Sequence, residues 1–515
     1  MTLVDQPIVN VLKTEDPQVG LEDQRVLIVG QQTGSTYTDG QLVEDIGNGG
    51  TEFSNMGKGS HVSEMVRRFR QINTVSKLDA IVLDDAGAAV PAIKTIAFSG
   101  PASEDGTITV YVGSRVDHKY TISVSDTDTA TVIGDALVTA IGNDDFAIVT
   151  AVNTTGSVAL TAINGGTVGN DTGIQVIDLP AGVTSTVTNT TPGATDPTLT
   201  TLFDVVGDKR YQTVVYPHNY DITVLADQFS SASTFLDPRW NADNDILDGV
   251  GVITKSDTLG NLKTFLNARN SQSLVVNCTE TVSETNYKGS STFELSDIQS
   301  SEIGALRSLR LTDGANISSI VNASGLDARG GAALSSLPYH NTPTSFPVID
   351  GNKGFTPSEV DELNEAGGFV CGDNKSNTVV LIGKVVTTRK TDSAGNTAPT
   401  YKFLNKVDQA SIGAEYMFNQ SKAVFSQTRL TDGAVFAGRN IQNKNTLRSQ
   451  FVEWFNVLSG IDFLVYRAGD ANAKLFADSL VITLDLGNGE VSSRADVPLV
   501  SQLRELDITL RQLID

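Results

Sequence analysis

RVLIVGQ at Arg25–Gln31, HVSEMVRRFRQI at His61–Ile72 and LDAIVL at residues 78–83 decide the fold of this chain. The first and third are short, continuous apolar runs, the pattern of strands buried on both faces. Between them, Val62, Met65, Val66, Phe69 and Ile72 fall on one side of a helix. Strand, helix and strand in that order imply a parallel pair with a crossover helix, hence an α/β layer. The same alternation resumes far downstream. YQTVVYP (211–217), VGVITK (250–255) and SLVVN (273–277) read as strands. Helices are expected about residues 221–236, near 259–267 and near 296–311, ahead of NISSIVN (316–322).

A stretch of different character separates the two halves. From Tyr120 to Asp208 there is no Lys or Arg, while ten aspartates fall there, and Thr, Val, Gly and Asn dominate. GTITVYVGSRVDHKYTISVS (106–125), FAIVTAV (146–152) and SVALTAI (157–163) read as strands, interrupted by one helix, ATVIGDALVTAIG, at Ala130–Gly142. The Pro/Thr-rich TNTTPGATDPT (188–198) closes the segment. This predicts a β-rich domain at residues 92–197, inserted into one discontinuous α/β domain made of residues 21–91 and 198–350.

A further α/β block, residues 351–500, follows. TPSEVDELNEAG (356–367) is a capped helix, with Thr356 at the N-cap, Pro357 in the first turn, Glu359 at capping-box distance and Gly367 at the end. NTVVLIGKVVTTRK (377–390) reads as a long strand and SAGNT (393–397) as a turn. Helices are expected around 408–429 and 446–458, and SLVITLDLGNGEV (479–491) carries a hairpin signal. The fold class is therefore a multidomain α/β (α+β) chain, flanked by extended arms at residues 1–20 and 501–515.

Both arms hold apolar residues in an extended pattern. PIVNVL places Pro7, Ile8, Val9, Val11 and Leu12 together, and Leu506, Ile508 and Leu510 alternate with Asp507, Thr509 and Arg511. An isolated strand cannot satisfy its backbone hydrogen bonds, so each must pair, with the chain's own sheet or with a neighbour. Leu499, Leu503, Leu506, Leu510 and Leu513 also fit a heptad, so a helix stands as the alternative at the C-terminal end; the β-branched pair Ile508-Thr509 favours strand.

Composition narrows the function. Net charge is −23 over 515 residues, with a pI near 4.5, which disfavours nucleic acid and anionic membrane as partners and favours solubility in bulk. Two cysteines, Cys278 and Cys371, carry no pairing motif, as in a chain made in a reducing compartment. No secretory signal and no apolar run of membrane-spanning length is visible. MGKGS (56–60) lacks the spacing of a phosphate loop. His61, His118, His218 and His340 are dispersed, and His61-x-x-Glu64 reads as surface polarity on a helix. Asp126 and Asp128 read as solvated turn carboxylates. Cys278 and Cys371 read as core thiols, and no nucleophile, base and oxyanion donor assemble. No enzyme, cofactor or metal is expected. One charged feature stands out: Lys422, Arg429, Arg439, Lys444 and Arg448 oppose the single Asp432 between residues 416 and 452, a surface suited to an acidic partner or one balanced by the chain's own carboxylates.

Within residues 355–432, GFTPSEVDELNEAGGFVC, then VVLIGKVVTTRKTDSAGN, then a Tyr-rich turn into a long helix resemble the C-terminal half of contractile-phage tail sheath proteins. RVLIVGQ, GKGSHVSEMVRRFRQINTVSKLDAIVL and YQTVVYPHNYDITVLADQF resemble that family's N-terminal pattern. Lys384 stands before Val385-Val386-Thr387-Thr388 where the family usually has Arg. The resemblance spans most of the chain apart from the insertion. It implies a structural subunit that forms a helical homopolymer around a tail tube, with baseplate and tail terminator proteins as further partners. It implies that both arms add strands to sheets of neighbouring subunits, that contraction is a rigid-body rearrangement, and that the insertion faces outward. Residence is then the virion tail, with assembly in the host cytoplasm. Lys422, Arg429, Arg439, Lys444 and Arg448 become the tube-facing candidates. A β-rich surface adhesin is the alternative that the Thr/Asn/Gly insertion raises.

Overall fold

Val26, Leu27, Ile28 and Val29 are fully buried in strand β1 (Arg25–Gln31), because apolar layers cover both faces of the sheet in which β1 is an interior strand. A computed structural model describes residues 24–48, 50–199, 201–226, 235–239, 248–283, 286–288, 294–315, 339, 342–346, 355–373, 380–392, 394–397, 402–425, 428–435, 440–460, 469–487 and 489–497. These form two units, one from the described residues up to 312 together with 339–408, the other from 313–315 and 409–497.

In the first unit, β1 pairs in parallel with β3 (Lys77–Leu83) on one side and with β11 (Thr213–Val215) on the other. β12 (Val250–Ser256) and β13 (Leu274–Ser283) continue the parallel ladder. β2 (Gln41–Val43) and β14 (Asn286–Lys288) close the two ends in antiparallel fashion, giving the order β14-β13-β12-β11-β1-β3-β2. The chain leaves this sheet after β3 and re-enters it at β11, so the α/β layer is discontinuous in sequence.

Alternation along β1 sorts its side chains between two cores. Val26 and Ile28 pack with Phe53 of α1 (Gly50–Met56) and with Val62, Met65, Val66 and Phe69 of α2 (His61–Ile72). Gly30 permits the close approach of α2, since a Cβ there would stand 3.0 Å from the Cα of Val62. Leu27 and Val29 face Tyr216, Leu225 of the short helix α4 (Thr223–Ala226) and Leu262 of α5 (Leu259–Asn267). Each such aliphatic side chain contributes about 1.5–3 kcal/mol by its burial. The helix expected about residues 221–236 is described only over α4; residues 227–234 lie outside the described residues.

The insertion holds β4 (Pro91–Ser99), β5 (Gly106–Val112), β6 (Lys119–Val124), α3 (Ala130–Gly142), β7 (Val149–Thr154), β8 (Ser157–Gly165), β9 (Ile174–Ile177) and β10 (Thr184–Thr191). Two antiparallel sheets, β10-β4-β8-β7 and β6-β5-β9, share a core of Ile96, Phe98, Ile108, Val110, Val158 and Leu160 with Ile133 and Leu137 of α3. The hydroxyl of Thr129 accepts from the Val132 amide and starts α3 where sequence places it.

After α6 (Ser296–Ala315), the helix Pro357–Ala366 opens with a full capping box between Thr356 and Glu359. It ends at Gly367, whose φ of 98° is a left-handed conformation suited to glycine. The next residues add to the edge of β13: the Cys278 amide donates to the Phe369 carbonyl at 2.8 Å, and the Phe369 amide to that of Val276 at 2.9 Å. The long strand expected at 377–390 is not continuous among the described residues, of which 377–379 are not part. β16 (Val380–Ile382) pairs with β15 (Cys371–Asp373), and past Gly383 the chain moves to other partners. The Thr388 amide donates to the Leu274 carbonyl and its hydroxyl to that of Ser271. A β-branched run is locally extended, but two different edges divide it.

The second unit contains the helix Leu404–Phe425 from Gln409 onward, β17 (Arg429–Leu430), β18 (Ile441–Gln442), the helices Lys444–Gly460 and Gly469–Ser479, and a hairpin of β19 (Val481–Asp485) with β20 (Glu490–Arg494). The helices expected at 408–429 and 446–458 thus run four residues earlier at the start of one and slightly longer in the other. NISSIVN lies outside the described residues.

Candidate functional site

Two places in the molecule concentrate polar chemistry. The first is the seam between α2 and the insertion. Helical spacing in RRFR puts Arg68 on the same side as Met65, so its guanidinium enters the core and is 1% exposed. There it meets Asp117 of the β5–β6 loop at 2.5 Å, Glu294 at 3.1 Å and Glu302 of α6 at 3.1 Å. Arg67 reaches Asp117 at 3.1 Å and also pairs with Glu64. His118 sits with Nε2 3.2 Å from Glu64 and Nδ1 3.6 Å from Asp144. Nearby, the Nε2 of His61 lies 2.7 Å from Asp297, and His218 lies between Asp171 at 3.4 Å and Asp297 at 3.7 Å.

The expectation that His61 and Glu64 are surface polarity is therefore corrected. Glu64 is 3% exposed, because the insertion covers the face of α2 that the sequence leaves polar. Burial would lower the His118 pKa, but the Asp144 carboxylate beside Nδ1 and the Glu64 carboxylate at Nε2 outweigh it and hold the imidazole at about 9. The His118 imidazole leads the causes that draw Asp144 down to about 2, with the Phe146 amide and the Tyr120 hydroxyl donating to the carboxylate. Asp297 is held well below the usual carboxylate range, its burial outweighed by His61 and His218. These groups neutralise one another. Burial pushes the Cys278 thiol up to about 12 and Cys371 higher still, which leaves both protonated and inert, as core thiols are. Among the described residues no group of three His, Cys, Asp or Glu side chains is placed to hold a metal ion.

The second place is the hairpin of the C-terminal unit. Ile482 of β19 is buried, as are Leu447, Trp454 and Phe455 of the helix Lys444–Gly460. Phe455 stacks on Phe476 with centroids 4.2 Å apart. β19 and β20 pair with one another in antiparallel register from Val481↔Arg494 to Asp485↔Glu490, and neither has a further ladder partner among the described residues. A two-stranded ribbon carries an open backbone edge on each side. Val481 is 58% exposed. A groove lined by Asp432, Asn443, Lys444 and Asn445 runs past Ile482, Thr483 and Leu484.

The basic candidates separate here. Arg429 and Lys444 are exposed. The Arg448 guanidinium donates to the carbonyls of Leu480, at 3.1 Å, and Ala477, so it closes the C-terminal end of the helix Gly469–Ser479. Arg439 and the side chain of Lys422 lie outside the described residues, as do Pro7, Ile8, Val9, Val11, Leu12, Leu506, Ile508 and Leu510. Reasoning from sequence missed the Arg68 cluster; the signal available was a guanidinium on the apolar stripe of α2.

No protein-family model matches the chain. The chain is 25% identical over 219 residues to the Mu-like prophage FluMu tail sheath protein of Haemophilus influenzae. The match spans 42% of this chain and 43% of that protein. It bears out the resemblance to the phage tail sheath family that the sequence carries.

Proposed function

We propose that the chain is a structural subunit of a contractile phage tail sheath, acting without catalysis. The similarity to a prophage tail sheath protein over 219 residues carries this reading. The hairpin adds a physical reason for polymerisation. The two edges of the hairpin, which have no further ladder partner among the described residues, accept strands from other copies, and the apolar terminal segments, Pro7–Leu12 with Ile8, Val9 and Val11, and Leu506, Ile508 and Leu510, supply them. A head-to-tail contact of that kind that does not close yields an open helical homopolymer.

Such a polymer surrounds a tail tube protein, with baseplate and terminator proteins at its ends, and contracts by rigid-body motion of subunits linked through their arms. Lys422, Arg429, Arg439 and Lys444 are the tube-facing cations; Arg448 supports that surface through its helix end. The polymer belongs to the virion tail and is assembled in the host cytoplasm. Electron microscopy of the purified chain tests the reading: the full chain forms long striated tubes, and a chain lacking residues 501–515 remains a folded monomer. Tubes of normal form from the truncated chain would eliminate the arm mechanism. Discrete particles from the full chain at every concentration would eliminate the sheath.

A further inference from the structure

We propose that the insertion is a built-in ligand of the α/β sheet: it is seated in the crevice where such folds take small molecules, and it moves with the sheet as one rigid body. The consequence for contraction rests on the polymeric function proposed above.

Strand order fixes the place. From β1 the chain steps to β3 on one side, and after the insertion it returns to β11 on the other, so the order reverses between β1 and β11. Open α/β sheets bind ligands at that reversal, outside the carboxyl ends of the strands, with a helix N-terminus turned to the ligand. Here the end of β8 stands there. The side-chain oxygen of Asn164 accepts from the amide of His61, the first residue of α2, at 2.8 Å. Its nitrogen donates to the Gln32 carbonyl, past the end of β1, at 3.1 Å, and to Asp85, past the end of β3, at 3.0 Å. The Gly165 amide donates to the other oxygen of Asp85 at 2.6 Å, and the Gly165 carbonyl accepts from Gln31 at 2.8 Å. Past β11, the Asn219 side chain donates to the Thr167 carbonyl at 3.0 Å. Asn164 is 5% exposed, and each of these side-chain bonds goes to the α/β domain. Beside it a cavity of about 40 Å³ remains, lined in part by His61, Asp171 and Asp297. Small-molecule sites begin at roughly 300 Å³, so the crevice is filled by the chain itself.

Further contacts hold the insertion along α2. Gly59 has a φ of 74°, and a Cβ there would stand 2.2 Å from the Ala147 carbonyl oxygen, so backbone of the insertion packs directly on the loop before the helix. Lys58 meets Asp145 at 2.8 Å, and Asp117 meets Arg67 and Arg68 further on. Two chain crossings alone would make a hinge. Contacts spread from Lys58 to Arg68 oppose it, because a rotation would leave the buried partners of Asn164 and Arg68 unsatisfied.

Hydrogen exchange of the full-length chain tests the lock. In the natural chain the slowest amides of β4 and of β1 should exchange at rates within tenfold of one another, as parts of one cooperative unit. Asn164→Ala should let the insertion open by itself, so that β4 amides gain at least tenfold on those of β1. A natural chain in which β4 exchanges more than tenfold faster than β1, or a ratio that Asn164→Ala leaves unchanged, overturns the proposal. For contraction, the Lys58→Cys, Asp145→Cys variant is bridged with a short bismaleimide, while Cys278 and Cys371 are buried and stay silent. Bridged tubes that shorten as fully as unbridged ones in electron micrographs support rigid motion; bridged tubes that assemble and do not shorten overturn it. If neither form makes tubes, the sheath function falls and the exchange ratio alone decides the lock.

Discussion

The guanidinium of Arg68 lies 2.5 Å from the carboxylate of Asp117, joining the central helix α2 to the inserted β-rich segment through a nearly fully buried ion pair. Asp117 also meets Arg67, whereas Glu294 and Glu302 share the guanidinium of Arg68. Arg68→Met leaves them buried together without it. The expected loss is about 3–5 kcal/mol of unfolding free energy, the cost of breaking a buried pair. Urea denaturation measures it, and a loss under about 1 kcal/mol would show that the cluster behaves as a solvated surface pair.

His118 makes the same seam sensitive to alkali. Its folded pKa is raised from 6.5 to about 9, so the stability it contributes is fully present below the unfolded value and is lost as pH rises through about 9. Asp144 is drawn down from 3.8 to about 2, so its contribution is present above the unfolded value and is lost as pH falls through about 2. Melting temperatures recorded between neutral pH and roughly pH 10 should fall for the natural chain and stay flatter for His118→Gln. Parallel curves for the two proteins would remove His118 from this role.

Lys390 joins the ends of two helices of the first unit. Its ammonium donates to the carbonyls of Leu266 at 2.8 Å, Arg269 at 2.5 Å and Ala366 at 3.2 Å, where the ends of α5 and of the helix Pro357–Ala366 converge. Burial, with Arg269 nearby, lowers its pKa to about 8. Lys390→Met keeps the stem and removes the donors, and about 1–3 kcal/mol should be lost. Hydrogen exchange localises the effect: amides in the last turn of both helices should exchange faster, while those of β1 should not change.

The exposed and tethered cations of the C-terminal unit should respond differently to charge reversal. Arg429→Glu with Lys444→Glu is expected to leave the melting temperature within a degree or two and to reduce co-sedimentation with tube protein at low salt. Arg448→Glu puts a carboxylate against the Leu480 and Ala477 carbonyls and should lower the melting temperature by several degrees. Undiminished tube binding by the double variant would move the tube-facing surface elsewhere.

Thr356→Ala should cost about 1 kcal/mol, since its hydroxyl accepts from the Glu359 amide and the Glu359 carboxylate answers at the Thr356 amide. Thr356→Ser should restore most of it. Equal losses in both would place the effect outside the cap.

Local chemistry was legible wherever neighbours in sequence set it. The apolar runs of β1 and β3, the stripe of α2, the span of α3, the cap of the helix Pro357–Ala366 and the β19–β20 hairpin each depend on residues within a few positions, and the structure places them where the sequence reads them. The resemblance to tail sheath proteins rested on the order of such segments, and it too came from sequence. What tertiary structure alone decided was which surfaces cover one another. His61 and Glu64 read as solvated on α2 until the insertion closes over them, because burial of a polar helix face depends on a loop some fifty residues away. The run from Asn377 to Lys390 has the composition of one strand, yet two edges divide its described part from Val380 onward, since strand pairing is a long-range choice that propensity does not encode. The row of Thr188, Thr95, Ala159 and Val152 across the insertion's four-stranded sheet likewise emerges only from register, which brings residues from four separate segments side by side.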